Sequence, residues 1–269
     1  MQTSDGLKLH VRSEGRGRPL VLVHGWTMSS RFFERQFSGL ADSFRVVSFD
    51  LRGHGESGNS RTGNTIARSA QDLREVIESL ELRNCVLAGW SLGCSVVLDY
   101  WRQFADDLIG ALAIVEGTPY PMAPDEWNTH RLQGRDETAL DISLNAFTGD
   151  REGFGRSFIK GMFAAHPQAE TLDWMMEEYR KAHTQSTARL YRDYALCDLR
   201  DVLPTVSIPT LAAYGTGGSV HFGHKTGQHV TESIPGCELK LFDNSGHMPF
   251  FEEAESFNAE LRRLASRIS

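Results

Sequence analysis

The most chemically suggestive pattern in this chain is a serine flanked by glycines two residues to either side, Gly89-Trp90-Ser91-Leu92-Gly93. It follows an apolar run ending at Ala88 and opens a helical stretch from Leu92 to Phe104. The serine is therefore expected on a sharp strand–turn–helix bend, the context in which this pentapeptide presents a nucleophile. Side chains at the glycine positions would stop the strand and the helix from passing each other. A helix beginning at the serine also points its free N–H groups, and the positive end of its dipole, toward developing negative charge. A serine hydroxyl is a weak nucleophile and needs a base beside it. The bare pattern is common by chance; between a buried strand and a helix it points to covalent catalysis.

The elements that would hold such a bend are legible as alternating strands and helices, the pattern of a parallel sheet covered on both faces. Leu7 to Val11 alternates with polar residues and is expected as a half-exposed edge strand. Pro19–Val23, Arg45–Phe49, Asn84–Ala88, Ala111–Val115, Thr210–Tyr214 and Glu238–Phe242 are short apolar runs bounded by turn residues, as buried strands tend to be. Ile66, Ala70, Leu73, Ile77 and Leu80 recur at three- and four-residue steps and mark one amphipathic helix. Ala254, Phe257, Leu261, Leu264 and Ile268 mark another at the C-terminal end.

One region breaks the alternation. Thr118 to about Arg200 carries helical material without convincing strands, four of the seven methionines, and many aromatic residues. Such a segment packs as a helical subdomain, or serves as lid and wall of an apolar pocket, where soft and flat side chains suit varied ligands. Trp127, Phe147 and Trp174 are its candidate substrate contacts.

Bulk composition narrows the function classes. The 269 residues carry 40% hydrophobic and 23% charged residues, ordinary globular usage. A net charge of −7 disfavours nucleic acid or an anionic membrane as partner, since both need a basic face. No apolar stretch approaches the ~20 residues of a membrane span. Residues 1–10 lack the apolar run of a secretory leader. Cys85, Cys94, Cys197 and Cys237 form no CxxC pair and are read as buried thiols in a reducing compartment, so the expected location is cytoplasmic. No cofactor is expected: there is no dinucleotide fingerprint, and Gly215-Thr216-Gly217-Gly218 lacks the lysine of a phosphate loop. His221, His224 and His229 have no carboxylate or cysteine spacing to complete a metal site and are read as surface residues. Oligomeric state is not legible.

Over nearly its whole length the chain resembles the α/β-hydrolase superfamily, closest to the branch of cofactor-free haloperoxidases (perhydrolases), esterases and enol-lactonases. The resemblance is carried by His24-Gly25-Trp26, by Asp50-Leu51-Arg52-Gly53-His54-Gly55-Glu56-Ser57, by the bend at Ser91, and by Ser245-Gly246-His247. It implies an α/β fold with a mostly parallel eight-stranded sheet and a helical lid inserted after the sixth strand. Residues 1–117 and 201–269 would then form the core and residues 118–200 the cap. It also implies that His247 is the general base and that the amides of Trp26 and Leu92 form the oxyanion hole. Asp50 and Arg52 would brace a loop, and His24 would be structural.

The family's usual acid does not fit. It lies in the loop after the seventh strand, where this chain has Gly217 and Gly218. An orienting acid matters, because the wrong imidazole tautomer costs ~10⁴ in turnover in well-studied triads. Some relatives place it one strand earlier, and Glu116 occupies that slot, keeping the order serine, acid, histidine. Asp243, four residues before His247, is the rival; being so local, it is better suited to shaping a turn.

The resemblance thus implies a serine hydrolase acting on an ester or lactone of a small hydrophobic acyl or aromatic substrate, with perhydrolysis as a side activity. Two alternatives stay open: a cofactor-free carbon–carbon hydrolase or oxygenase driven by the same histidine, and a non-catalytic, receptor-like ligand binder.

Overall fold

Two kinds of apolar pattern in the chain produce two kinds of element. In the computed structural model, which describes residues 1–105 and 108–268, the first half runs β1 (Val11–Gly15), β2 (Arg18–Val23), α1 (Glu34–Leu40), β3 (Phe44–Phe49), α2 (Ile66–Ser79), β4 (Cys85–Trp90), α3 (Leu92–Phe104) and β5 (Ile109–Val115). Four helices follow: α4 (Glu137–Gly149), α5 (Arg151–Gly161), α6 (Ala169–Lys181) and α7 (Thr184–Leu196). The chain then closes with β6 (Thr210–Gly215), α8 (Gly223–Ser233), β7 (Cys237–Phe242), α9 (Pro249–Glu252) and α10 (Ala254–Ser266).

The strands form one sheet in the order β1-β3-β2-β4-β5-β6-β7, parallel throughout except where β1 meets β3. Every residue of β4 and β6 is buried, as expected of strands with both faces covered by helices. On α2, Ile66, Ala70, Leu73 and Ile77 are buried as the spacing predicts. Thr65 and Asp193 satisfy the first amides of that helix: the Thr65 hydroxyl accepts from the Arg68 N–H, and Asp193 of α7 from the Ile66 N–H.

The amino-terminal expectation needs correction. Leu7 to Val11 is not the first strand, which begins at Val11, and the described residues form seven strands rather than eight. Residues 1–9 instead fold back on themselves. Thr3 and Leu7 exchange backbone and hydroxyl hydrogen bonds across a turn at Gly6, whose φ is +84°, leaving only an isolated bridge between Gln2 and Lys8. Backbone groups consumed in that turn cannot extend a ladder.

From β2 the chain moves to β3 on one side and then to β4 on the other. That reversal opens a crevice beyond the carboxyl ends of β2 and β4, the usual ligand site of an open α/β sheet. Ser91 directly follows β4, and His24-Gly25-Trp26 directly follows β2. None of the described helices is long and apolar enough to cross a membrane.

Candidate active site

Ser91 sits on the bend with φ +57° and ψ −121°, a sparsely populated conformation for a residue with a side chain. Two glycines make the bend possible. A Cβ on Gly89 would overlap the carbonyl of Gly93, and one on Gly93 would overlap the carbonyl of Val23. The Ser91 N–H donates to Val115 O at 2.9 Å, so β5 holds the bend from the side. The loop after β2 presses on it from the other: a Cβ on Gly25 would lie 3.1 Å from that of Ser91.

His247 arrives from the loop after β7 and is held at three points. Its N–H donates to Met162 O at 2.7 Å, its carbonyl accepts from Trp90 Nε1 at 2.8 Å, and its Nδ1 lies 3.0 Å from Glu116 Oε2. With Nδ1 bonded to a carboxylate, the ring proton belongs there, leaving Nε2 as the basic nitrogen. Ser91 and His247 line the same cavity. No direct hydrogen bond joins them, and such contacts commonly tighten only when a substrate is held.

Glu116 is fully buried just past β5, with φ +49°. Besides His247, its carboxylate accepts from the N–H of Gly215 at 2.7 Å and from the N–H of Phe222 at 2.7 Å. Gly215 is the last residue of β6 and Phe222 lies in the stretch beyond it, where the family usually carries its acid. In this chain the stretch supplies no carboxylate; the end of β6 and the stretch beyond it supply two donors to one that arrives from the neighbouring strand. Asp243 is exposed, and its backbone carbonyl accepts from the Thr216 hydroxyl, so it shapes the turn and does not reach His247.

The amides of Trp26 and Leu92 have no acceptor among the described residues, and both residues line the cavity with Ser91. Leu92 opens α3, so its N–H has no partner within the helix. The Trp26 indole donates to Thr187 O at 2.8 Å and anchors its loop to α7. His24 is buried, its Nδ1 donating to Gly25 O and its Nε2 accepting from the Leu51 N–H; burial lowers its pKa to about 4. Asp50 accepts from the N–H groups of Ser30 and Glu56, and Arg52 pairs with Asp72. These bonds brace the loops beneath the site.

The cavity measures about 320 Å³, the small end of ligand pockets. Its walls correct the expected substrate contacts. Trp127 stacks on His229 at 3.9 Å over a surface depression away from Ser91. Phe147 is buried against Trp26, Phe154 and Tyr179, and Trp174 packs on Phe32 and Phe251. None of the three lines the cavity; Phe158, Tyr191, Tyr194 and Phe222 do, together with His130 and Arg131. His221 also faces the cavity rather than lying on the outer surface, whereas His224 is exposed. The i, i+3 spacing of Tyr191 and Tyr194 was the available signal, because residues so spaced share one helix face.

Comparison with known proteins agrees with this architecture. The profile of the alpha/beta hydrolase family matches residues 20–260. The chain belongs to that family, in the branch that holds haloperoxidases and esterases. It is 29% identical over 262 residues to a pimeloyl-[acyl-carrier protein] methyl ester esterase of Vibrio cholerae, covering 97% of this chain and 99% of that one. Among solved structures it resembles an esterase from Exiguobacterium antarcticum, with 28% identity, a TM-score of 0.89 and 98% coverage of both chains. It also resembles a bromoperoxidase from Bacillus anthracis, with 26% identity, a TM-score of 0.89 and coverage of 97% of this chain and 96% of that one.

Proposed function

We propose that this protein is a serine hydrolase that cleaves a carboxylic ester or lactone of a small, largely apolar substrate through an acyl-enzyme. The observation that carries the reading is the hydrogen bond that Glu116 accepts from His247 Nδ1, which leaves Nε2 as the basic nitrogen of a ring lining the same cavity as Ser91. The esterases among its relatives support the same chemistry.

In the first half-reaction His247 Nε2 takes the Ser91 proton as the oxygen attacks the carbonyl carbon. The carbonyl π bond opens, and the resulting oxyanion lies against the amides of Trp26 and Leu92, a pair of donors worth ~3 kcal/mol or more each to the transition state. The tetrahedral species collapses, and His247 returns the proton to the departing alkoxide. In the second half water repeats the sequence and frees the acid and Ser91. Glu116 fixes the imidazole tautomer and steadies the imidazolium that forms. Residues 118–200 act as the lid that excludes bulk water, as the contacts of Tyr191 and Tyr194 with the cavity favour.

Ser91→Ala is expected to abolish both hydrolysis of p-nitrophenyl esters and labelling by a fluorophosphonate. A variant labelled as fast as the parent would remove Ser91 from the mechanism. Retention of most activity on the natural substrate would instead favour chemistry driven by His247 alone, carbon–carbon cleavage or oxygenation.

A further inference from the structure

The cavity beside Ser91 adjoins a wider groove of about 710 Å³ that runs over α4 and α5, and the two share Arg131, Phe158 and Val220. Arg131 stands at that junction. Its Nε and Nη2 donate to the Tyr191 hydroxyl at 3.2 and 3.1 Å. Its guanidinium lies over the rings of Tyr191 and Phe154, 5.4 and 5.7 Å from their centroids. Those contacts hold the side chain yet leave Nη1 and half of Nη2 uncommitted.

Within the cavity the lining carries no negative charge: among the described residues no carboxylate pairs with Arg131, and none of the residues lining the cavity is acidic, Asp150 belonging to the wall of the adjoining groove. Arg131 is the permanent charge on that wall. The neighbouring His130 adds no charge of its own: burial chiefly, and the adjacent Arg131 next, push it down to about 3, so that ring is neutral. A guanidinium that only needed solvation has no reason to be clamped at the mouth of an apolar pocket. One that receives an anion needs to be held, since a pre-positioned fork loses little freedom on binding a carboxylate through two N–H bonds.

We infer that Arg131 selects esters whose acyl part ends in a second, ionised carboxylate. The scissile carbonyl rests at Ser91, the carbon chain lies against Phe158, Tyr191 and Tyr194, and the distal carboxylate meets the Arg131 fork at the mouth. Hydrolysis then converts a half-ester and water into a dicarboxylate and an alcohol. The inference rests on the ester-hydrolase reading of Ser91 and His247, and it narrows the substrate to a chain apolar in the middle and anionic at its far end.

The test compares kcat/KM for the p-nitrophenyl half-ester of adipic acid with that for p-nitrophenyl hexanoate, a neutral ester of equal chain length. The native protein should prefer the half-ester by about tenfold or more, as a charge-assisted hydrogen bond allows. That preference should shrink as salt rises from about 0.05 to about 0.5 M. In Arg131→Gln the ratio should fall at least about tenfold, and Arg131→Lys should recover part of it, since charge survives but the fork does not. An unchanged ratio in Arg131→Gln overturns the inference. Binding is read separately in Ser91→Ala, which cannot turn over. Monoethyl adipate should raise its melting temperature more than diethyl adipate does, and adding Arg131→Gln should erase that difference. If the native protein hydrolyses neither ester, the reading of Ser91 fails, while the melting shifts still decide whether Arg131 holds an anion. Equal shifts from the two adipates would overturn the anion site.

Discussion

Glu116 Oε2 lies 3.0 Å from His247 Nδ1 although the two residues are 131 positions apart in the chain. The contact depends on sheet order. Glu116 leaves the end of β5, β6 lies alongside, and the carboxylate is covered by the amide of Gly215 at the end of β6 and that of Phe222 in the segment beyond it. A buried acid is tolerable only when its lone pairs are occupied, and here three donors occupy them.

Glu116→Gln is expected to lower kcat by up to about 10⁴-fold, because an amide can present the wrong group to Nδ1 and favour the wrong tautomer. Thermal melting should show a folded protein. Adding Gly217→Asp should not restore activity, since its Cβ would sit 2.8 Å from that of Ala164. Gly218→Asp should fare no better: Gly218 has φ +85°, and its Cβ would meet the carbonyls of Gly161 and Phe163 at 2.9 Å. Recovery in either double variant would show that the stretch after β6 still accepts an acid.

Trp90→Phe removes the donor to the His247 carbonyl while keeping an aromatic ring in a fully buried position. An unpaired buried carbonyl costs about 1–3 kcal/mol, so the urea midpoint should fall. The larger signal should be in kcat and in the rate of fluorophosphonate labelling, because the loop that carries the imidazole is released. Equal labelling rates would mean that the other two anchors of His247 suffice.

Acid sensitivity should come from the buried histidines under the site. Burial pushes His24 down to about 4 and His54 down to about 3, the latter with help from His24. Both are neutral when folded and take up a proton near 6.5 when unfolded, so the unfolded state binds more protons below that pH. Stability is therefore fully present above about 6.5 and lost as pH falls toward 4 and then 3, each histidine contributing a slope approaching ~1.4 kcal/mol per pH unit. His54→Asn should flatten the stability profile between pH 6 and 4 by about one such slope, read from urea unfolding. An identical profile would place the acid sensitivity elsewhere.

Gly93→Ala should fold poorly or lose about 3 kcal/mol or more, since the added methyl would overlap the Val23 carbonyl and neither strand nor helix can retreat. Gly149→Ala, at the end of α4 with no atom within 4 Å of the added carbon, should be neutral or stabilising by up to about 1 kcal/mol. Comparable losses in the two variants would detach the effect from the bend at Ser91.

Much of this protein was legible in its sequence because it is local. The strand–turn–helix at Ser91 is written in five consecutive residues, the buried face of α2 in a 3.6-residue period, and the central strands in short apolar runs. The amino-terminal strand was misplaced because a turn at Gly6 takes the hydrogen bonds that alternation alone would assign to a ladder. The eighth strand, implied by the family resemblance alone, is not found among the described residues.

The acid and the cavity walls belong to the tertiary structure. Two glycines said where the usual carboxylate was absent, but only the adjacency of β5 and β6 brought Glu116 to the imidazole and set two amides on its oxygens. Composition said that the long helical insertion was aromatic, but not which rings turn inward: Phe147 of α4 is buried behind Trp26, while Tyr191 and Tyr194 of α7 face the cavity. Side-chain periodicity describes one element at a time. Which face meets which neighbour depends on how separate elements rotate and pack, and that is settled by contacts between residues far apart in the chain.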